Sequence, residues 1–432
     1  MKTTFVGVLL MTAFSALAQP AGDYTVHEWG TFTSVQGGDG RLIPWRPIQS
    51  SELPRFVHDW FNPGLRVLPQ YLTPGGKGGL VTLQRMETPV IYFYSRDTLS
   101  VDVSVAFPKG IITEWYPRSN QIGPAELDYV GPAGGFPAID KAASLRESRI
   151  TWRKLTVFPP YATQVPAPLP VDQQGRHYFA ARETDSDNVQ IDLSQAPGGT
   201  NETERFLFYR GAGSFATPLH VAMDSTNGFE VSNTGTNPLA HLFFLRVQDG
   251  YGEFASMDSL PAGQTNWQAN WEGTETNGWR SFPLAQFQDA LGAQVEAALV
   301  NQGLFDKEAR AMVKTWRDSW FTEEGMRVLY ILPRAWTDET LPMTLNPLPQ
   351  QLTRVMVGRA EIIAPAVQTN LLSLLTRAQN GDADARLQAG ATFKKLGRFA
   401  LPALNLAISN DYTNAVAALG LKLLSDAMQA PN

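Results

Sequence analysis

The chain has 432 residues, no cysteine, and 35 basic against 41 acidic residues. The acidic balance excludes a general nucleic-acid binder, which needs a basic face for phosphates. The absence of cysteine excludes thiolate catalysis, Cys-ligated zinc and disulfide stapling, so stability has to come from a large apolar core; the length predicts two or three domains.

In chain order, residues 1–18 read as a signal peptide. Lys2 supplies the positive start, Phe5 to Leu17 is an apolar run too short to span a bilayer, and Ala16-Leu17-Ala18 is a small-x-small cleavage site. The mature chain is expected to begin at Gln19, in a bacterial periplasm or at the cell surface. No later apolar run approaches the ~20 residues of a spanning helix, so no membrane span is expected after signal removal.

Residues 19–275 read as a β-sandwich-rich region of possibly two lobes. Short runs rich in Val, Phe, Tyr and Thr alternate with Gly, Pro, Asn and Asp. Pro89 to Tyr94, Leu99 to Phe107 and Ile111 to Tyr116 form three successive strands. Further strands fall at Arg149 to Phe158, His177 to Arg182, Val189 to Leu193, Glu204 to Tyr209, Pro218 to Met223 and Glu253 to Met257. Phe229 to Val247 reads as two strands paired across an Asn/Gly/Thr/Pro loop. From 276 to 365 the pattern becomes α+β, with helices at Leu284 to Leu299 and Lys307 to Phe321 and a strand pair at Met326 to Leu332 and Leu352 to Ile363. Residues 366–432 form a helical cap. Its segment Asp382 to Ile408 resembles one unit of a HEAT-type helical repeat, and one unit makes no solenoid. The expected fold class is mainly β with α: antiparallel sandwich lobes, an α+β segment and a C-terminal helical cap.

No phosphate loop, GxSxG elbow, HExxH pair or dinucleotide fingerprint occurs. What stands out is a set of carboxylates on apolar strand faces. In VHEWGTFTSV, Tyr24, Val26, Glu28, Gly30 and Phe32 share one face, and His27 lies on the other. Glu114 sits between Ile112 and Tyr116, Glu87 just precedes its strand, and Arg210 shares a face with Phe206 and Phe208. In one reading Glu28, Glu87 and Glu114 converge with His27 and Arg210 as a catalytic or cation-binding set. In the other, Glu28 and Glu114 pair with Arg210 or tyrosine hydroxyls and fix the sheet. No motif requires a cofactor, and the carboxylates leave room for a divalent cation. Trp267, Trp271 and Trp279, in a polar stretch, suit stacking against sugar rings or ordinary packing. His220 and His241 lie in neighbouring strand segments, too few for a metal site alone.

The strings VHEWGTFTSV, METPVIYFYS, ITEWYP, FLFYRG and LPRAWTDETLP resemble an uncharacterised family of exported bacterial proteins with an HEWGTFT motif after the signal peptide. The resemblance implies export and one continuous protein, and implies no reaction. Three functions remain open: binding of a polar small molecule or extracellular polymer such as a glycan, a hydrolase using Glu28, Glu87 and Glu114, and a structural envelope component docking through the tail.

Overall fold

The computed structural model describes residues 22–48, 53–59, 80–123, 148–192, 200–223, 228–270, 280–408 and 414–429. In chain order the strands are β1 (Gly22–Gly37), β2 (His58–Asp59), β3 (Gln84–Ser95), β4 (Leu99–Phe107), β5 (Gly110–Tyr116), β6 (Gln121–Ile122) and β7 (Ser148–Phe158). After helix α1 (Arg176–Ala180) come β8 (Asn188–Ile191), β9 (Glu202–Glu204), β10 (Leu207–Gly213), β11 (Leu219–Met223), β12 (Gly228–Asn233), β13 (Leu239–Gln248), β14 (Tyr251–Leu260), β15 (Thr265–Asn270) and β16 (Arg280–Pro283). Helices α2 (Leu284–Asn301) and α3 (Asp306–Phe321) precede β17 (Gly325–Leu332), α4 (Arg334–Thr340), β18 (Met343–Asn346) and β19 (Pro349–Ile363). The tail is α5 (Pro365–Gln379), α6 (Ala383–Leu396), a 3₁₀ turn over Gly397–Phe399, α7 (Ala400–Ala407) and α8 (Asn414–Gln429).

The protein is mainly β with α, as its sequence texture predicts. A ten-stranded sheet runs β16-β14-β13-β17-β19-β1-β3-β10-β5-β2. It takes strands from both sides of residue 275, and at its centre β1 lies parallel to β19. A strand held between two others and covered on both faces has no solvent side. So β1 is buried from Val26 onward, with Tyr24 also inside: Tyr24, Val26 and Phe32 enter one apolar core and Trp29 another.

One face of the ten-stranded sheet packs on two smaller sheets, β18-β4-β7-β8-β9 and β11-β12-β15. In β4 the alternation LSVDVSVAF buries Val101, Val103 and Val105 in the interlayer core. The other face carries α2 and α3, which bury Phe287, Leu291 and Val295 and Met312, Trp316 and Trp320 at helical spacing. The tail helices close a third core over one end of β1 and β19, where Val35, Trp45 and Ile363 meet Leu371, Leu375, Phe393 and Leu404.

Several local expectations are corrected. His177 lies on α1, within Arg176–Ala180, rather than on a strand. The strands of Phe229 to Val247 do not pair; β12 joins the three-stranded sheet and β13 the ten-stranded one, so the loop between them is a corner between layers. Likewise β4 leaves the sheet that holds β3 and β5.

Candidate functional site at the junction of sheet and cap

Three neighbouring strand pairs lose register at one level. β1 and β3 pair up to Trp29–Val90 and resume at Thr31–Glu87, so Gly30 alone faces both Thr88 and Pro89. The β3–β10 ladder breaks between Val90–Phe208 and Met86–Gly211, and the β10–β5 ladder between Arg210–Glu114 and Gly211–Ile112. The sequence dictates the first break. Pro89 has no N–H to give a ladder, Thr88 takes a left-handed φ of 42°, and a side chain at position 30 would sit 3.0 Å from the Pro89 backbone. Strand β3 therefore starts before the proline, and Glu87 is inside it rather than ahead of it. Bulges re-aim side chains. Here they place Ile112 in the interlayer core while Tyr116, four residues on, enters the helix-side core.

The re-aimed side chains are charged. Arg210 grips Glu114 with two hydrogen bonds, Nη2 to Oε1 at 2.6 Å and Nε to Oε2 at 3.1 Å, and the Thr113 hydroxyl also donates to Glu114. Glu87 accepts from Arg398 Nη1 at 2.9 Å and stands 3.6 Å from Arg85 Nε. Arg398 comes from the 3₁₀ turn of the cap and also reaches Ser319 Oγ at 3.0 Å. Beyond it Arg359 bridges Glu323 at 2.7 Å and Glu361 at 2.8 Å, and Arg327 holds Glu361 at 2.9 Å. Burial acts to raise the Glu87 carboxyl, but Arg398, Arg85 and Arg359 outweigh it and hold it at about 2. A carboxylate that acidic has no proton to donate at neutral pH.

Around Glu87 several polar groups find nothing to bond. Thr31 lies opposite Glu87 and Thr33 opposite Arg85. The hydroxyls of Thr31 and Thr88 and the Nε of Arg85 are buried without a hydrogen-bond partner among the described residues, while the Thr33 hydroxyl is turned to Glu87 and helps hold it ionised. The Arg85 side chain is 10% exposed, and its one ion contact is the 3.6 Å approach to Glu87. Burial pulls its guanidinium down to about 10; Glu87 and, more weakly, Glu114 oppose that shift, and Arg210 and Arg398 reinforce it.

The remaining sequence candidates lie elsewhere. Glu28 is fully buried on the opposite face of β1, where it accepts from the Tyr209 hydroxyl at 2.5 Å and from Arg354 Nε at 2.5 Å. That is pairing with a tyrosine and an arginine, though the arginine is Arg354 and not Arg210. His27 bonds through Nδ1 to Glu308 at 2.8 Å, and Glu308 also accepts from the Tyr94 hydroxyl and the Phe305 N–H, tying β1 to the start of α3. Glu28, Glu87, Glu114, His27 and Arg210 thus divide among three places: Glu87, Glu114 and Arg210 line one site, and Glu28 and His27 occupy two others. Among the described residues no group of three or more His, Asp or Glu is placed to hold a metal ion. His220 and His241 belong to strands of different sheets. Trp267 lies on β15, with its side chain outside the described residues, as are Trp271 and Trp279. Trp316 and Trp320 stack at 6.3 Å inside the helix-side core.

Sequence reasoning missed Arg85, Arg359, Glu361 and Arg398. The first three carry the same signal as Glu28, a charge in an apolar strand: Arg85 and Glu87 flank Met86, and Arg359 and Glu361 flank Ala360. A separate cleft of ≈ 700 Å³ lies between β17 and helices α5 and α6, with Arg246, Glu324 and Lys395 in its lining.

No family model matches the chain, and no curated protein does. Among solved structures it is similar to the Fcho1 Mu homology domain of Danio rerio with a bound Eps15 peptide. That match has 8% identity and a TM-score of 0.27, over 80% of this chain and 99% of that one. A likeness at that level carries no argument about fold or binding.

Proposed function

We propose that this chain is exported and binds a polar ligand at the junction between the ten-stranded sheet and the helical cap. The observation that carries the reading is the set of buried groups around Glu87, Arg85 Nε and the hydroxyls of Thr31 and Thr88, that meet no partner among the described residues. Each such group costs about 1–3 kcal/mol of lost hydration. A fold retains that cost most readily where a ligand or ordered water supplies the missing partners. Their setting in a row of bulges supports the same reading, since bulges gather beside sites that need re-aimed side chains. Binding is favoured over hydrolysis because Glu87 is held ionised and Glu114 is locked by two hydrogen bonds to Arg210. Neither is arranged as a general acid. Export rests on residues 1–18 and is tested by the intact mass of the secreted protein; a mass retaining Met1 to Ala18 overturns it.

The binding test uses the pair Thr31→Val and Thr33→Val, which keeps shape and removes both hydroxyls. A thermal-shift panel of neutral sugars, amino acids and small carboxylates is run on the native and variant proteins. The expected result is a ligand-induced rise in the native protein that the double variant loses while melting no lower than the native chain. Equal shifts in both proteins, or no shift with any member, refute the site.

A further inference from the structure

We infer that the group received at this site is an oxyanion, a carboxylate or phosphate, held between the guanidiniums of Arg85 and Arg398. The inference rests on the binding reading above and narrows it to one chemical class. Three observations carry it.

The first is charge. Among the described residues Glu87 is the one carboxylate within 4 Å of Arg85, and it is shared with Arg398, which it meets at 2.9 Å against 3.6 Å for Arg85. One carboxylate between two guanidiniums leaves a positive charge over. Glu323 lies 3.7 Å from Arg398, but it is 35% exposed and already bonds Arg359 at 2.7 Å. A buried, uncompensated guanidinium is among the costliest groups a fold can hold. A neutral water can accept one hydrogen bond from Nε and cannot offset the charge.

The second is geometry. Arg85 makes no hydrogen bond to the described residues, so its planar fork of donors is free for the oxygens of a planar or tetrahedral anion. Arg398 Nε is likewise buried without a hydrogen-bond acceptor. The hydroxyl of Thr31, across the strand from Glu87, is a further donor.

The third is origin. Arg85 is fixed on the sheet, whereas Arg398 is carried by the cap, 311 residues from Glu87. An anion bridging them would tie cap to sheet. Ligand binding should therefore read out as added stability by mass action.

The experiment titrates the full mature protein with sodium phosphate, acetate, glucuronate and neutral glucose. Chloride balances the ionic strength, and melting temperature and calorimetric heat are followed. The same titrations are run on Arg85→Gln and Arg85→Lys. The expected result is that at least one of the three anions raises the melting temperature and glucose does not. Arg85→Gln should bind that anion at least tenfold more weakly while melting no lower than the native protein without it, because the Arg85 contact to Glu87 is long and makes no hydrogen bond. Arg85→Lys, with the charge but not the fork, should fall between. A response to phosphate alone marks free inorganic anion as the source; a stronger response to glucuronate than to acetate marks a sugar acid. A shift with glucose and none with the anions overturns the oxyanion and leaves the binding reading standing. No shift with any probe, together with a lower melting temperature for Arg85→Gln, makes Arg85 a structural cation and overturns both.

Discussion

Replacing Glu28 by alanine should destabilise the protein without touching the ligand site. Glu28 is fully buried, and each carboxylate oxygen has one partner at 2.5 Å, Tyr209 Oη or Arg354 Nε. Arg354 is itself sealed, with its side chain 1% exposed; its other ion pair is Asp338 at 2.8 Å, a carboxylate 46% exposed. Nη2 of Arg354 has no acceptor among the described residues even in the native state. Glu28→Ala therefore leaves a buried guanidinium held from one side by a half-solvated carboxylate, and a buried phenol with no acceptor. Breaking a buried pair from one side costs about 3–5 kcal/mol. With unfolding entropy near 2.1 cal/mol/K per residue over roughly 400 residues, that is a fall of about 4–6 °C in melting temperature. The double variant Glu28→Leu with Arg354→Met removes both charges and should recover most of the loss. Calorimetry of the three proteins decides the matter, and ligand shifts should persist in all of them, because Glu28 faces the interlayer core and the Arg85 cluster lies across the sheet. A Glu28→Ala protein that melts with the native one, or a double variant worse than the single, refutes the reasoning.

Three further outcomes are expected. The Glu87 carboxyl is depressed from 4.5 to about 2, so its contribution of about 3 kcal/mol is present above pH 4.5 and lost as pH falls toward 2; Glu87→Gln should flatten the acid limb of the stability–pH curve, and an unchanged limb counts against the pairing. Burial raises Asp187 from 3.8 to about 6 against the opposing Ser95 N–H and Arg205, so the folded state keeps a proton the unfolded chain has lost and stability declines as pH rises from about 4 to 6; Asp187→Asn should melt higher than the native protein at pH 8 and match it at pH 3, and equal melting at pH 8 would show that burial is not the cause. Phe393→Ala opens a cavity in the cap core and should cost about 3–5 kcal/mol, whereas Leu387→Ser, at a position 73% exposed, should stay within about 0.5 kcal/mol; similar losses for the two would mean the cap is packed differently.

Local pattern carried much of the architecture. The alternation in Tyr24 to Phe32 marks one face of β1, and Glu28 is legible as a carboxylate that must be paired. The apolar spacing in Leu284 to Phe321 marks the two helices, and the Gly-Pro-Asn punctuation marks the strands. What escaped is what local pattern cannot hold. The pairing of β1 with β19 joins residues more than 300 apart, and nothing in either segment names the other. The bulges at Thr88, Arg210 and Thr113 break the period of two on which face assignments depend, so Ile112 and Glu114 were placed on one face and the fold separates their surroundings. Pro89 reads as a strand start because a proline gives no ladder N–H, yet the bulge leaves that position without need of one. Arg85, Arg359 and Glu361 were legible by the criterion that exposed Glu28. They sit in LQRMETPV and VMVGRAEII, where the charged residues hide among strong strand formers.

The two buried clusters on either side of β1 obey one electrostatic rule with opposite results. On the interlayer face Glu28 is matched to Arg354 and Tyr209, and the cost of burying charge is offset within the chain. On the cap face the same sheet holds Arg85 with its hydrogen bonds unmade and Glu87 divided between two cations. Burial alone therefore does not distinguish structure from function in this protein; completeness of pairing does. A carboxylate satisfied at both oxygens has nothing left to offer a ligand. A guanidinium that burial pulls down to about 10, and whose Nε meets no acceptor among the described residues, still does. The incomplete cluster is also the one whose second arginine arrives on a separate helical unit. A fold that needed only stability could replace Arg85 with an uncharged residue and relieve the strain. That the charge stands instead at the seam between sheet and cap, without an acceptor among the described residues, is what the proposed anion site would explain.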